Sequence, residues 1–278
     1  MSYKYIELEH QPGLVILWLN RPEKRNALDL EMIQEMDSAI QGINAMEDDT
    51  IVVLRGRGEA FCSGGDLGWM QRAIDLTPEE NYAECLTLSK FLYNLYSCNK
   101  VTIAAIHGAT YGGGVGLAAA CDLAICVDDT QFSLSELRMG LVASSISPYI
   151  LKKMGENRTK ELVFSSRLFN GNEAEKYALV NRSVPHDQLD NVLNEYIIQI
   201  SKGAPKARAL AKKLILELSP PNIDKVIIEK TAGLLAQVRV ADEAQQRIDG
   251  FLNKTQEPGF KSQDLIAEFS RNAQGTQS

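Results

Sequence analysis

Three consecutive glycines, Gly112–Gly114, stand in the stretch TYGGGVGLAAACD, between an apolar segment and an alanine-rich one. The preceding VTIAAI is typical of a buried strand, and the residues that follow are typical of a small-residue helix. Unpaired backbone N–H groups and the positive end of a helix dipole face outward at such a turn, and glycine lets a ligand atom approach them. The turn could therefore hold an anion or a developing oxyanion. Packing of the helix start on a neighbouring strand would also require small residues, so spacing alone leaves both interpretations open.

A second glycine turn, AFCSGGDLGWM at residues 60–70, follows another strand-like segment. Ser63, Gly64 and Gly65 could supply a second N–H to the same ligand atom, and Asp66 is placed to cap the next helix. Alone, this is an ordinary strand-to-helix turn. The chain has no G-x-G-x-x-G, no G-x-x-x-x-G-K-[ST] and no G-x-S-x-G, so the sequence does not indicate a dinucleotide site, a P-loop or a nucleophile elbow.

The segments that must position these turns alternate between strand and helix patterns. Tyr5–Asn20 predicts two strands joined by a turn near residues 11–13. Asp29 opens an amphipathic helix, and the TPEE capping box at Thr77 opens another. The apolar runs TIVVLR, VTIAAI and LAICV predict buried strands, and further helix starts are expected in residues 157–167 and 172–177.

The pattern changes at about Gly203, where long helical stretches replace the alternation. We therefore expect an α/β layer structure over residues 1–200, which contains both glycine turns. Residues 201–260 are expected to form a helical C-terminal part, and residues 261–278 a polar tail.

Composition excludes several functional classes. The 278 residues are 45% hydrophobic and 23% charged, which is enough apolar material for a sizeable core. The net charge of −7 argues against a general nucleic-acid or anionic-membrane surface, because phosphate binding requires clustered Lys and Arg. An anionic ligand must therefore be met by local basic residues.

The cysteines and histidines indicate neither disulfides nor a metal. The five cysteines are an odd number without a C-x-x-C pair, and the three histidines are widely spaced. The start of the chain lacks the pattern of a signal peptide, and no apolar run reaches the ~18 residues of a spanning helix. We expect reduced, buried cysteines and a cytoplasmic protein.

Four stretches carry a resemblance to a known family. They are RPEKRNALD (21–29), AFCSGGDL (60–67), HGATYGGGVGLAAACDLAI (107–125) and FSLSELRMGL (132–141). Together, in this order, they resemble the crotonase family, the enoyl-CoA hydratase and isomerase superfamily. The similarity continues into residues 167–184 and 242–260, so it covers nearly the whole chain.

The resemblance implies a spiral of ββα turns, a C-terminal helical part that builds homotrimers or hexamers, and an acyl-CoA thioester substrate. No cofactor is implied, because coenzyme A is part of the substrate. The family stabilises an enolate with two backbone N–H groups, which by motif alignment fall on Ser63 and Gly113. Each such donor is worth roughly 3 kcal/mol.

The resemblance also implies a coenzyme A site. Lys24 and Arg25 are expected beside the pantetheine and diphosphate, and the backbone of Ser63–Leu67 beside the adenine. Without the family, Lys24 and Arg25 would be interpreted as solvated charges on a turn. The expected binding residues are Lys24, Arg25, Ala27, Ser63, Gly64, Gly65, Asp66, Leu67, Gly112 and Gly113.

Hydratases of this family place two glutamates at the double bond, and this chain has one of them. The later position falls on Glu136, and the earlier one falls on Gly116. Glu136 is therefore the expected acid/base, and apolar neighbours such as Leu134 could raise its pKa towards neutrality. The expected acyl pocket is formed by Met139, Leu141, Ser144, Ser145 and Tyr149.

The segment GLVASSISPYI at 140–150 resembles the bacterial methylglutaconyl-CoA hydratases of leucine and acyclic-terpene breakdown. We expect an enoyl-CoA hydratase, a hydro-lyase, with a branched or carboxylated acyl group such as methylglutaconyl-CoA as a candidate substrate. A Δ3–Δ2 enoyl-CoA isomerase is the alternative, since one carboxylate suffices to shuttle a proton. A catalytically weak acyl-CoA- or RNA-binding relative is a second alternative, and the absence of a basic stripe argues against RNA.

Overall fold

The computed structural model describes residues 3–47, 50–220 and 222–254, and strands and helices alternate over most of them. The strands are β1 (Ile6–Gln11), β2 (Leu14–Leu19), β3 (Ile51–Gly56), β4 (Val101–Ile106), β5 (Ala109–Tyr111), β6 (Leu123–Val127), β7 (Gln131–Ser133) and β8 (Arg182–Val184). The helices are α1 (Leu30–Asn44), α2 (Leu67–Arg72), α3 (Pro78–Ser97), α4 (Gly113–Ala120), α5 (Ser147–Ser165), α6 (Gly171–Lys176), α7 (Leu189–Ser201), α8 (Pro205–Leu218), α9 (Lys225–Arg239) and α10 (Asp242–Leu252). The tail predicted over 261–278 lies outside the described residues.

The main sheet has the strand order β1-β2-β3-β4-β6-β8. The hairpin of β1 and β2 is antiparallel, and every later neighbour pairs in parallel. A second, two-stranded parallel sheet joins β5 and β7. Parallel neighbours require a crossover, and helices supply most of these connections. The α/β fold expected from the sequence, with parallel strands and covering helices, is confirmed.

Both faces of the main sheet are buried, which is why its strands are continuously apolar rather than alternating. In β3, Val52 and Leu54 belong to the larger core cluster with α1, α3 and α4. Ile51 and Val53 belong to the smaller cluster on the opposite face, which α7 covers through Leu189 and Leu193. The sequence pattern of β3 therefore reports a central strand.

Side-chain caps fix the helix starts that the sequence indicates. Asp29 caps α1 by accepting a hydrogen bond from the amide of Met32. Thr77 and Glu80 form the reciprocal capping box of α3. Asn170 caps α6 in the same way with Glu173. These caps set where the helices begin relative to the two glycine turns.

The C-terminal helices do not form a layer separate from the sheet. Along α9, Ile228, Ala232 and Leu235 are buried in the larger core cluster, and α9 packs along α3. The preceding α7 already begins at Leu189, before the boundary expected at 200/201, and that boundary stays a prediction. None of the helices in the described part of the chain is long and apolar enough to cross a membrane.

Candidate active site

One cavity of about 580 Å³ brings together nearly all the residues that the sequence singles out. It lies between the two glycine turns, the segment that follows β7, and the C-terminal helices. Its wall includes the expected residues Lys24, Arg25, Ala27, Ser63, Gly64, Gly65, Asp66, Leu67, Gly112, Gly113, Glu136, Met139, Leu141, Ser144 and Ser145. Gly116 and Tyr149 are not part of the wall.

The three glycines between β5 and α4 serve different purposes. A Cβ on Gly114 would lie 2.3 Å from the carbonyl oxygen of Cys62, so this position is glycine because of backbone packing. Gly112 has φ +46°, and a Cβ there would lie 2.9 Å from Oε1 of Glu136. Its amide donates to the carbonyl of Ser133 at 2.9 Å. The packing interpretation holds for Gly114; Gly112 and Gly113 line the cavity, and the close approach of a ligand to them stays a prediction.

The backbone of the second glycine turn departs from the expectation. The amide of Ser63 donates to the carbonyl of Arg25 at 2.9 Å, and its hydroxyl donates to the carbonyl of Lys24 at 3.3 Å. The amide of Gly64 interacts with the Cys62 thiol. The expectation that Ser63 supplies an unpaired N–H is therefore not met, because that amide fastens the turn to the preceding loop.

The unpaired amides are those of Gly65 and Gly113. Within the described residues neither of them donates to a carbonyl or a side chain. Gly113 is the first residue of α4, so its amide has no partner within the helix. The bridge between Leu28 and Gly65 uses the amides of Leu28 and Asp66 instead. A Cβ built on Gly113 would lie 3.8 Å from the carbonyl carbon of Gly64, to which the nitrogen of Gly65 is bonded. The two turns thus bring two residues with unpaired amides close together in the cavity wall.

A buried arginine holds the second turn in place. The Nη1 atom of Arg21 lies 3.0 Å from a carboxylate oxygen of Asp66 and 3.2 Å from one of Asp29, and it donates to the carbonyl of Ala27 at 3.0 Å. Asp66 in turn caps α2 through the amide of Trp69. One guanidinium therefore joins the loop before α1 to the turn before α2. The sequence analysis did not assign this role to Arg21.

Lys24 and Arg25 lie at the rim of the cavity, on a short 3₁₀ turn that ends with Arg25 in a left-handed conformation. Arg25 forms an exposed ion pair with Glu59 at 2.9 Å. Within the described residues, Lys24 has no acidic partner. Below the rim, the fully buried Asn26 binds the backbone of three residues through its side-chain amide. The rim thus presents two cations on an anchored turn.

Glu136 begins a 3₁₀ turn, Glu136–Met139, directly after β7. Its Oε2 atom is shielded from solvent and has no hydrogen-bond partner. Burial raises the pKa of this carboxyl to about 7, and a hydrogen bond from its own amide opposes the rise. An orphaned carboxylate oxygen in a cavity is an energetic cost that a reacting ligand would relieve.

The space of the second carboxylate is filled by Ile146. A Cβ added to Gly116 would lie 2.1 Å from Cγ2 and 2.8 Å from Cβ of Ile146. The pocket residues expected from the sequence did not include Ile146. Its contact with α4 depends on the path of residues 140–146, which no local sequence signal reports.

Two serines that were expected in the acyl pocket contribute polar groups to the cavity wall. The Ser145 hydroxyl accepts a hydrogen bond from Ser89 of α3 at 2.9 Å. The hydroxyl of Ser144 is buried and has no partner. The same cavity wall also contains apolar side chains, namely those of Met139, Leu141, Trp69, Met70, Leu88 and Leu235.

Tyr149 was expected in this pocket and lies elsewhere. It is buried one helical turn into α5, and its ring packs edge-on against Tyr96 with the centroids 5.3 Å apart. Among the described residues, no three His, Cys, Asp or Glu side chains are grouped in a way that could hold a metal ion.

Comparisons with known proteins identify the family of this chain. The model of the enoyl-CoA hydratase/isomerase family matches residues 9–263. The structure of a "putative enoyl CoA hydratase/isomerase (crotonase)" from Legionella pneumophila is 37% identical, with a TM-score of 0.75 over 91% of this chain and 98% of its own. An enoyl-CoA hydratase structure from Shewanella pealeana is 28% identical, with a TM-score of 0.76 over 93% and 97% of the two chains.

A protein of Thermus thermophilus named "Putative enoyl-CoA hydratase" is 33% identical over 242 residues, which are 87% of this chain and 95% of its own. The motifs, the fold and these relatives coincide over nearly the whole chain. The protein is therefore an enzyme of the enoyl-CoA hydratase/isomerase family, within the crotonase superfamily.

Proposed function

We propose that the protein adds water to the double bond of a 2-enoyl-CoA thioester and that Glu136 is its only catalytic carboxylate. One observation carries the proposal: the unpartnered Oε2 of Glu136 and the unpaired amides of Gly65 and Gly113 share one cavity. An acid/base beside two fixed N–H donors is the arrangement that enolate chemistry requires.

The thioester oxygen binds between the amides of Gly65 and Gly113. Because both N–H groups are fixed by the backbone, they need no reorientation as negative charge develops on that oxygen. The phosphates of the coenzyme A portion lie at the rim, where Lys24 and Arg25 supply the positive charge that the net charge of −7 does not. The acyl chain extends towards Ile146 and the two serines.

Hydration proceeds in two proton transfers on one carboxylate. Ionised Glu136 takes a proton from water while the water oxygen bonds to the β-carbon and the π electrons move to the thioester oxygen. The protonated Glu136 then returns a proton to the α-carbon as the enolate collapses. With burial raising the pKa of Glu136 to about 7, acid and base forms are both well populated near neutral pH.

The acyl group that fits best is short and branched, with a polar end. The wall near Ile146 is narrowed by that side chain, while Ser144 and Ser145 add hydroxyls to an otherwise apolar pocket. Methylglutaconyl-CoA, which has a methyl branch and a terminal carboxylate, matches these features. The ISPY run of residues 146–149 supports the same choice.

A second candidate reaction is Δ3–Δ2 isomerisation of an enoyl-CoA. It is favoured by the absence of a carboxylate at Gly116, because moving a double bond requires only one group that shuttles a proton between two carbons. Hydration is preferred because the cavity retains a second polar group, the Ser144 hydroxyl, which isomerisation would not use.

The test is a panel of three substrates: crotonyl-CoA, methylglutaconyl-CoA and a 3-enoyl-CoA. We expect hydration of the first two, with methylglutaconyl-CoA preferred. The Glu136→Gln variant should lose kcat by about 10²- to 10⁴-fold with little change in KM, because the amide keeps the shape but cannot carry the proton.

Glu229→Gln on α9 is the matched control, since it makes the same chemical change on a partly exposed side chain outside the cavity. It should retain full activity. If the protein turns over only the 3-enoyl-CoA, the proposed hydratase function is wrong and the protein is an isomerase. Near-normal hydration by Glu136→Gln would show that another group carries the protons.

A further inference from the structure

A hydratase with one carboxylate must hold its water by other means. A water molecule that donates one proton to Glu136 is still free to rotate about that hydrogen bond. Its oxygen lone pair then points at the β-carbon only part of the time. In this cavity Ile146 fills the place where a second carboxylate would give a second hydrogen bond, so another polar atom must take that part.

Ser144 is a polar residue of the cavity wall whose side chain is unused. It is 4% exposed, it lines the same cavity as Glu136, and its Oγ atom has no hydrogen-bond partner. A buried hydroxyl without a partner is energetically unfavourable, so a position of this kind calls for a ligand.

The backbone between Glu136 and Ser144 is folded by local hydrogen bonds, so both residues belong to one segment of the wall. The amide of Leu141 donates to the carbonyl of Glu136 at 2.9 Å across a turn in which Gly140 has φ +67°. The amide of Ser144 then donates to the carbonyl of Val142 at 2.7 Å. Both groups therefore belong to one short, hydrogen-bonded segment of the wall.

Three other buried hydroxyls do not compete for this role. Ser145 is already paired with Ser89. Thr110 and Thr130 also carry buried hydroxyls without a partner, but neither lines the cavity. Among the described residues of the wall, Glu136 and Ser144 are the two whose buried side-chain oxygens lack a partner.

We propose that the Ser144 hydroxyl is the second ligand of the reacting water and holds its lone pair towards the β-carbon. This inference rests on the proposed hydratase function. In the addition step, one water O–H donates its proton to the carboxylate of Glu136, while the other O–H donates a hydrogen bond to Oγ of Ser144 and stays on the product as its hydroxyl. The proton of Ser144 does not move, and the electron pair of water forms the new C–O bond.

The experiment separates water addition from enolate formation. Hydration of crotonyl-CoA requires the water, whereas exchange of the α-protons of butyryl-CoA with D₂O requires only Glu136 and the two amides. Ser144→Ala should lower kcat for hydration by about 10- to 100-fold, the loss expected for one hydrogen bond to a reacting group. Its rate of α-proton exchange, followed by NMR, should stay within about threefold of the wild type.

Thr130→Val is the matched control, because it removes a buried hydroxyl that lacks a partner outside the cavity. It should retain both rates, and Glu136→Gln should lose both. Equal loss of hydration and exchange in Ser144→Ala, or no loss of either, would overturn the role. If Ser144→Ala lowers hydration of methylglutaconyl-CoA but not of crotonyl-CoA, the role is overturned as well, and Ser144 is then a contact of the acyl group. A wild type that exchanges protons but hydrates no enoyl-CoA would instead refute the hydratase function, and this proposal with it.

Discussion

Burial of the Glu136 carboxyl destabilises its ionised form, and the same burial suits this group to acid/base chemistry. Burial raises the pKa of its carboxyl from 4.5 to about 7, so the folded state holds the proton more tightly than the unfolded state does. The stability that this provides is fully present below pH 4.5 and is lost as the pH rises through 7. The same shift lets one group accept and return a proton near neutral pH.

The contact between Gly116 and Ile146 gives a direct prediction. Gly116→Glu should lower both the melting temperature and the hydration of every substrate, because its Cβ would lie 2.1 Å from Cγ2 of Ile146. Overpacking of this kind costs about 1–3 kcal/mol. Thermal unfolding and crotonyl-CoA hydration measure the two effects.

The double variant Gly116→Glu/Ile146→Gly removes the clashing atoms and should recover stability relative to Gly116→Glu. It should also raise crotonyl-CoA hydration above that of the Ile146→Gly control, since a second carboxylate can then reach the water. A stable, fully active Gly116→Glu single variant would refute the packing argument.

Individual residues show where sequence reasoning stops. The identity of Glu136 followed from the family motif, and its orphaned oxygen is consistent with that role. The choice between the amides of Ser63 and Gly65 could not be made from the sequence. It depends on the carbonyl of Arg25, which the fold brings to Ser63 from a distant loop.

At the scale of elements, the site is formed by two strand-to-helix turns that one arginine connects. The sequence indicated both turns, and the caps Asp29 and Asp66 were predictable because they lie next to the helices they start. The guanidinium of Arg21 that joins these two carboxylates is a tertiary contact, and no local pattern reports it.

The buried strands were predicted better than the helices, for a physical reason. Strands β3, β4 and β6 were evident because strands buried on both faces are continuously apolar. Helix α5 begins at Ser147, before the expected start. Its non-helical residue Gly155 interrupts the hydrophobic periodicity of the helix. Helix α7 was missed as a separate element, since only Leu189 and Leu193 are buried along it.

At the scale of the whole molecule, α8 exposes an unusual amount of apolar surface. Lys212 is its one buried residue, and its Nζ atom forms an ion pair with Oδ2 of Asp122 at 2.7 Å. Four large apolar side chains on the same helix are more than half exposed: Leu210, Leu214, Ile215 and Leu218. An apolar surface of this kind is typical of a subunit interface.

The exposed face of α8 supports a subunit interface, and the homotrimer or hexamer that the family resemblance implies stays our prediction. Light scattering at micromolar concentration should give three or six times the mass of one chain. Leu214→Glu/Leu218→Glu should shift the mass downward, because two charges cannot be buried against an apolar partner surface. The cavity also opens beside the exposed side chains of Phe251 and Leu252, so dissociation should lower activity. A monomeric wild type would contradict the prediction.

The central claim is that one carboxylate with a pKa of about 7 carries both proton transfers. A two-carboxylate site needs one group ionised and one protonated in the free enzyme, and its kcat/KM is therefore bell-shaped in pH. With Glu136 alone, the free enzyme needs only the ionised form, because the acid of the second step is generated by the first.

The deciding measurement is kcat/KM for hydration from pH 5.5 to pH 9, because the expected midpoint at ~pH 7 lies well inside this range. We predict a single rise with its midpoint near pH 7 and a plateau above it, so that the value at pH 6 is about tenfold lower than at pH 8. Glu136→Gln should remove this dependence. A bell-shaped profile with a falling alkaline limb, or a rate that does not change between pH 6 and pH 8, would contradict catalysis by Glu136 alone.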